Sequence, residues 1–284
     1  MALLKALVNG DFSSGVSVND RGLNYGDGAF ETIAYTNGNA VFWERHYKRL
    51  KKGCDILGFD CPIENDLLKD IKKITETDGS TDNAVIKIIV TRGESERGYK
   101  PSEHTTPNVI VSLSAYPLYP SAYWKDGVDI KKCTTNLSSQ KKTSGIKHLN
   151  RIDQVLARRE WDDEFQEGLM LNENGHVIEA VMSNVFIVED KKIVTPIIKG
   201  SGVKGIMREV VLNICETSGI MVLKDKLTLE RVLKADEVFL TNSLIGIWPV
   251  KRIENTQLEV GSLTQEIMQS LKNKYMVNYA SLSL

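Results

Sequence analysis

The sequence predicts an α+β protein of two domains, and three observations carry that prediction. The chain has 284 residues, more than one ordinary domain needs at roughly 100–200 residues each. Strand-like and helix-like patterns are interleaved along both halves. Between the halves, residues 116–125 (YPLYPSAYWK) hold two prolines and four aromatics with neither a helical nor an alternating period. The expected division is therefore a smaller N-terminal domain over 1–115, a linker over 116–125 and a larger C-terminal domain over 126–284.

In the first domain, strands are predicted at Leu4 to Val8, Phe30 to Tyr35 and Ala40 to Trp43, the last two joined by an Asn37-Gly38 turn. A helix is expected from Glu44 to Leu57, because Tyr47, Leu50, Cys54 and Leu57 recur at spacings of three and four, one face of a 3.6-residue period. A second helix follows Pro62, with Leu67, Leu68, Ile71 and Ile74 facing inward. Two β-branched runs, Ala84 to Thr91 and Asn108 to Ala115, close the domain. They flank a polar loop from Gly93 to Pro107 that is long enough to suggest a function.

In the second domain, Gly127 to Thr134 reads as a strand, Leu149 to Trp161 as a helix, and Gly168 to Val188 as strands turned at Asn174-Gly175. A strand from Ile193 to Ile197, a helix from Lys204 to Ser218 and a strand from Ile220 to Leu223 follow. A short helix over Leu229 to Leu233, a strand over Glu237 to Thr241 and a terminal helix from about Ser262 complete the reading.

Composition narrows the function. With 36 Lys+Arg against 37 Asp+Glu the formal net charge is −1, so the whole molecule lacks the surplus of one sign that a nucleic-acid binder uses. Cys54, Cys61, Cys133 and Cys215 form no CxxC pair and no metal-ligand spacing with histidine, which predicts reduced thiols and no metal. The N-terminal apolar run meets Asn9, Gly10 and Asp11 too early for a signal-peptide core, and no window reaches the ~18 apolar residues of a membrane helix. A cytoplasmic protein with no membrane partner is the expectation.

Two features point to chemistry. Gly200, Gly202 and Gly205 spell GSGVKG between a strand and a helix, with Asp225 at the end of a later strand. On paper this is a dinucleotide fingerprint, but too few strand-helix alternations follow for that fold. What the glycines offer physically is close approach of backbone to an anion at a helix N-terminus; an ordinary tight turn fits them equally well. The second feature is the window Ser138 to Arg151 (SSQKKTSGIKHLNR), which holds Lys141, Lys142, Lys147, His148 and Arg151 and no acid. Glu179 follows 32 residues beyond Lys147, and then comes the glycine-rich turn. A lysine, a carboxylate and a phosphate cradle in that order suit one cofactor.

DRGLNYGDGAFET (Asp20 to Thr32), TRGESERGY (Thr91 to Tyr99), GIKHLNRIDQVLA (Gly145 to Ala157), EAVMSNVF (Glu179 to Phe186) and GVKGIMR (Gly202 to Arg208) occur in this order. Together they resemble the motifs of the fold-type IV pyridoxal-phosphate enzymes, among them branched-chain aminotransferases, D-amino-acid transaminases and 4-amino-4-deoxychorismate lyases. The resemblance runs from about residue 7 to residue 250. It implies a C-terminal domain built on a mixed β pseudo-barrel flanked by helices, pyridoxal 5'-phosphate as cofactor, and a homodimer.

Carried over residue by residue, it implies that Lys147 holds the cofactor aldehyde and shuttles a proton, and that Glu179 faces the pyridine nitrogen. Arg49 and the backbone N–H groups of Ile206 and Met207 would hold the phosphate, with Asn242 and Ser243 in the last phosphate-side loop. Arg97 would bind a substrate carboxylate with Tyr99 beside it, and Phe30 would line the substrate site. Arg97-Gly98-Tyr99, the HLNR that starts at His148, and Thr32, where D-amino-acid transaminases carry an aliphatic residue, resemble the lyase branch. That branch converts 4-amino-4-deoxychorismate to 4-aminobenzoate and pyruvate on the route to folate. Thr32 would position a water or relay a proton. The alternative is a D-amino-acid transaminase or another class IV aminotransferase.

Overall fold

The computed structural model describes residues 3–12, 15–76 and 83–282. The chain forms two compact units, Met1–Pro117 with Ile146–Asn150, and Leu118–Gly145 with Arg151–Leu284. The change of unit after Pro117 falls inside the stretch proposed as linker.

The first unit carries Leu3–Val8 (β1), Arg21–Tyr25 (α1), Gly28–Thr36 (β2), Asn39–Ala40 (β3), Trp43–Leu57 (α2), Glu64–Glu76 (α3), Asn83–Thr91 (β4) and Asn108–Ala115 (β5). Its antiparallel sheet has the order β1-β5-β4-β2-β3. β2 and β4 pair along nine positions, from Gly28 opposite Thr91 to Thr36 opposite Asn83. The β-branched residues of this ladder, Ile33, Ile86, Ile88 and Val90, are buried together with Leu50 and Cys54 of α2 and Leu67, Ile71 and Ile74 of α3. α2 packs closely on β2 because position 53 is glycine: a Cβ there would stand 3.2 Å from that of Ala29.

Three expectations change here. The strand expected over Ala40 to Trp43 stops at Ala40, since the backbone turns through a left-handed Phe42 (φ 57°) straight into α2. Leu68 is 39 % exposed; Leu67, Ile71 and Ile74 already fill the inward stripe, and Leu68 lies about 100° round the helix from Leu67. α1 was not anticipated. The Asp20 carboxylate caps it by accepting from Leu23 N–H, and Gly26 closes it in the left-handed region.

The second unit carries Ala122–Lys125 (α4), Val128–Lys132 (β6), Ile152–Arg158 (α5), Glu167–Leu171 (β7), His176–Ala180 (β8), Asn184–Glu189 (β9) and Lys192–Pro196 (β10). Ile206–Thr217 (α6), Val222–Asp225 (β11), Leu227–Thr228 (β12), Leu229–Leu233 (α7), Glu237–Asn242 (β13), Gly246–Ile253 (β14), Thr256–Gln257 (β15), Ser262–Tyr275 (α8) and Tyr279–Leu282 (α9) follow. The mixed sheet runs β11-β10-β9-β13-β14-β6-β7-β8-β12, with β15 on β14. Parallel pairs occur at β10–β11, β14–β6 and β6–β7. Its central strands are buried along almost their whole length, as strands covered on both faces are.

The sequence reading had no strand at β14, where Pro249 interrupts the β-branched pattern of a central strand; the ladder there is irregular between Val250 and Arg252. The helix expected from Leu149 begins only at Ile152. Residues 147–149 run beside β2 instead, where Phe30 N–H donates to the Lys147 carbonyl and Leu149 N–H to the Gly28 carbonyl, both at 2.9 Å. Residues 118–125 also carry structure, because Tyr119, Tyr123 and Trp124 meet Trp248 edge-on at 4.8, 5.3 and 5.8 Å.

Candidate active site

In the first unit the site is built on β2 and α2. Because side chains alternate along a strand, Phe30 and Thr32 share one face and Glu31 takes the other. The ammonium of Lys147 lies 4.4 Å from the centre of the Phe30 ring, so Lys147, Phe30 and Thr32 are gathered at one side of β2. On the opposite face Glu31 is buried, 1 % exposed. It accepts from Arg49 Nε at 2.8 Å and from Arg49 Nη2, and it meets His46 Nδ1 at 2.6 Å. His46 and Arg49 are three positions apart on α2 and so project from one side of the helix.

Burial alone would raise the Glu31 carboxyl, but the Arg49 guanidinium and His46 hold it down at about 2. His46 is pushed below the ordinary imidazole range, chiefly by burial, against the pull of Glu31 and helped by the charges of Arg49 and Lys147. Its Nε2 has no hydrogen-bond partner among the described residues. Arg97 and Tyr99 lie on the loop after β4, both exposed. Arg97 makes no ion pair among the described residues, whereas the Tyr99 ring is 5.5 Å from that of Tyr25.

In the second unit, Glu179 of β8 is 5 % exposed, and its Oε2 accepts from Val203 N–H at 2.7 Å. Asn184 of β9 braces the segment that leads into α6: its Oδ1 accepts from Gly205 N–H at 3.0 Å and its Nδ2 donates to the Val203 carbonyl at 2.8 Å. At Gly202 (φ +84°) a Cβ would come 2.7 Å from Ile178 and 3.2 Å from Glu179 Oε2. At Gly205 it would strike Asn184 Oδ1 at 2.1 Å. α6 then starts without a side-chain cap, and the side chains of Ile206 and Met207 are buried. Only their backbone N–H groups can serve a ligand, and the first turn of a helix has N–H groups without intrahelical partners.

Next to this helix start the structure supplies a residue that sequence reasoning missed. Thr241 pairs with Asn184 in the β13–β9 ladder, so the two side chains share a face. The Thr241 hydroxyl is buried and has no partner among the described residues. A buried hydroxyl left unsatisfied is costly, and here it stands beside a backbone cradle suited to phosphate oxygens. Its neighbour Asn242 ends β13, and Ser243 begins the turn that follows. Asn242 Oδ1 accepts from Leu244 and Ile245 N–H at 2.8 and 2.9 Å, and its Nδ2 donates to Ser183 Oγ at 3.3 Å.

Glu167 of β7 also escaped the sequence reading. It is buried, and it accepts from Met182 N–H at 2.8 Å and Gly168 N–H at 3.0 Å. Burial raises its carboxyl to about 7, with the charge of Glu179 adding to the rise and those donors opposing it. No sequence signal marks Glu167 or Thr241. Glu31 does leave one: an acid within the apolar run of β2, opposite a helix with His and Arg three positions apart.

The chain belongs to the class IV aminotransferase family, whose model matches residues 28–253. It is 38 % identical over 269 residues to an aminodeoxychorismate lyase of Vibrio harveyi, covering 93 % of this chain and 98 % of that protein. A putative branched-chain-amino-acid aminotransferase of Methanocaldococcus jannaschii is 30 % identical, covering 95 % and 96 %. Among solved structures, 4-amino-4-deoxychorismate lyase from Pseudomonas aeruginosa matches with a TM-score of 0.89 and 40 % identity, over 94 % of this chain and 98 % of that one.

Proposed function

We propose that this protein is a pyridoxal-phosphate-dependent lyase that converts 4-amino-4-deoxychorismate to 4-aminobenzoate and pyruvate, a step toward folate. One arrangement carries the reading: a lysine amine, an aromatic ring and a hydroxyl, from Lys147, Phe30 and Thr32, on one side of β2. The similarity to two lyases over more than nine tenths of the chain supports it.

The residues fit the cofactor. Thr241 Oγ1 and the N–H groups of Ile206 and Met207 supply donors of the kind a phosphate dianion requires. Glu179, braced by Val203 N–H, offers a carboxylate to a protonated ring nitrogen. When bound, pyridoxal phosphate supplies an aldehyde carbon for an amine and an electron-withdrawing ring. Lys147 Nζ takes the proton from the amine-bearing carbon of the substrate and later returns to hold the cofactor. The Thr32 hydroxyl, on the same face, donates to the oxygen of the departing enolpyruvyl group or relays its proton through water. Loss of that group aromatises the ring, so no keto acid is needed to complete the cycle. Arg97 pairs with a substrate carboxylate.

The reading includes a homodimer, which kinship supports, and the free cysteines suit a cytoplasmic enzyme. No helix among the described residues is long and apolar enough to cross a membrane. The test is purified protein, expected to sediment at twice the 31.8 kDa chain mass and to carry a visible absorption that borohydride bleaches. It should release one pyruvate per 4-aminobenzoate without a keto acid, and Lys147→Ala should abolish turnover. A requirement for a keto-acid acceptor would replace the lyase by a D-amino-acid transaminase.

A further inference from the structure

The first unit contains a second charged cluster that the proposed chemistry does not use. Arg21 of α1 is 4 % exposed, and its guanidinium makes four donations. Nε donates to Asp27 Oδ2 at 2.9 Å, Nη1 to Ser95 Oγ and to the Gly98 carbonyl at 3.0 Å each, and Nη2 to the Tyr99 carbonyl at 2.8 Å. The same group lies 4.9 Å over the Tyr25 ring, and the Tyr25 hydroxyl accepts from Gly98 N–H at 3.2 Å. Three of the four donations therefore land on residues 95–99, the part of the loop that carries Arg97.

Asp27 fixes Arg21 from behind. Its Oδ2 also accepts from Arg92 Nε at 2.7 Å, and Arg92 in turn donates to the carbonyls of Leu57 and Gly58 at 2.6 and 2.7 Å, where α2 ends. Burial works against the Asp27 charge, but hydrogen bonds from Arg92 and Arg21 hold its carboxyl below the usual carboxylate range. One carboxylate thus anchors two guanidiniums, one gripping the loop and one the end of the helix that bears Arg49. The base of the loop is tight as well: at Gly93 (φ +90°) a Cβ would lie 1.9 Å from the Thr106 carbonyl.

We infer that Arg21, locked by Asp27, is a positioning residue for substrate recognition: it fixes the backbone at residues 95–99 so that Arg97 stands as a preorganised receptor for a carboxylate. The inference rests on the carboxylate-binding role proposed for Arg97. A polar loop left to itself samples many backbone states, and ordering it on binding subtracts from affinity. Arg21 removes that cost beforehand through a planar fork that reaches several acceptors at once. Lysine at the same place keeps the charge beside Asp27 but has no fork.

The experiment compares wild-type holoenzyme with Arg21→Lys and Arg97→Ala, measuring KM and kcat with 4-amino-4-deoxychorismate, cofactor content, and hydrogen exchange of the backbone amides over 95–99. Arg21→Lys is expected to raise KM about tenfold with kcat changed by less than about threefold, the signature of lost uniform binding. Cofactor content should hold, and the loop amides should exchange faster. Arg21→Lys with wild-type KM beside Arg97→Ala with a raised KM overturns this inference and leaves the role of Arg97 standing. Arg97→Ala with wild-type KM overturns that role and this inference together. If Arg21→Lys does not fold, Tyr25→Phe removes only the acceptor of Gly98 N–H and gives the same readouts with a smaller shift; unchanged exchange and KM there overturn the inference too.

Discussion

At the residue scale the first unit invests most in Glu31. A carboxylate with 1 % exposure is tolerable only because a guanidinium and an imidazole meet it directly. A folded-state pKa held down at about 2 means that the group stabilises the fold fully above its ordinary value. The contribution is lost as pH falls through the window from about 4.5 to about 2. Over that window the linkage amounts to roughly 3 kcal/mol. Glu31→Gln should therefore lower unfolding stability at pH 7 by about that much, since it leaves the Arg49 charge without its counter-ion. Denaturant titrations at a series of pH values should show the difference from wild type shrinking as pH falls from about 4.5 toward 2. A constant gap across the window would show that Glu31 acts through packing alone.

At the element scale the start of α6 shows why a helix N-terminus needs its neighbours. The glycines at 202 and 205 let backbone pass close to Glu179 and Asn184, and the side chain of Asn184 ties both ends of the Val203–Gly205 segment. Gly205 has an ordinary φ of −67°, so Gly205→Ala introduces no backbone strain; it drives a methyl into Asn184 Oδ1. The expected result is a protein that folds with helical content unchanged but binds pyridoxal phosphate about tenfold or more weakly, as the loss of one to two charge-assisted contacts implies. Equilibrium dialysis measures it, and wild-type affinity would mean that the cradle is not used. This element was readable in advance, because three glycines, a strand before and a helical period after lie close in sequence. Thr241 was not, because its role depends on a ladder pairing with Asn184, 57 positions earlier in the chain, that no local pattern encodes. The late start of α5 has a similar cause: the helical pattern from Leu149 onward is genuine, but β2 claims the backbone of residues 147–149 first. Pro249 hid β14 by the reverse logic, since a residue that cannot donate sits inside a ladder supported on both sides.

At the scale of the whole molecule the balance of 36 cations against 37 anions bears on how substrate arrives. The proposed substrate carries two carboxylates, and electrostatic steering that gains roughly 10- to 10³-fold in association needs a potential of several kT over the surface. A chain of net charge −1 provides no such field at long range. The cations assigned to the site act at contact distance instead, and Arg49 and Arg21 already face carboxylates, Glu31 and, shared with Arg92, Asp27. Raising salt from about 0.01 M to about 0.15 M shortens the screening length from about 30 Å to about 8 Å, which removes steering but leaves contact pairs largely in place. kcat/KM should then fall by less than about tenfold over that range, below the smallest gain steering would give. Stopped-flow assays in potassium chloride can measure this. A steeper fall would mean that Arg97 and Lys147 together project a local positive field strong enough to capture a dicarboxylate from solution despite the near-neutral total.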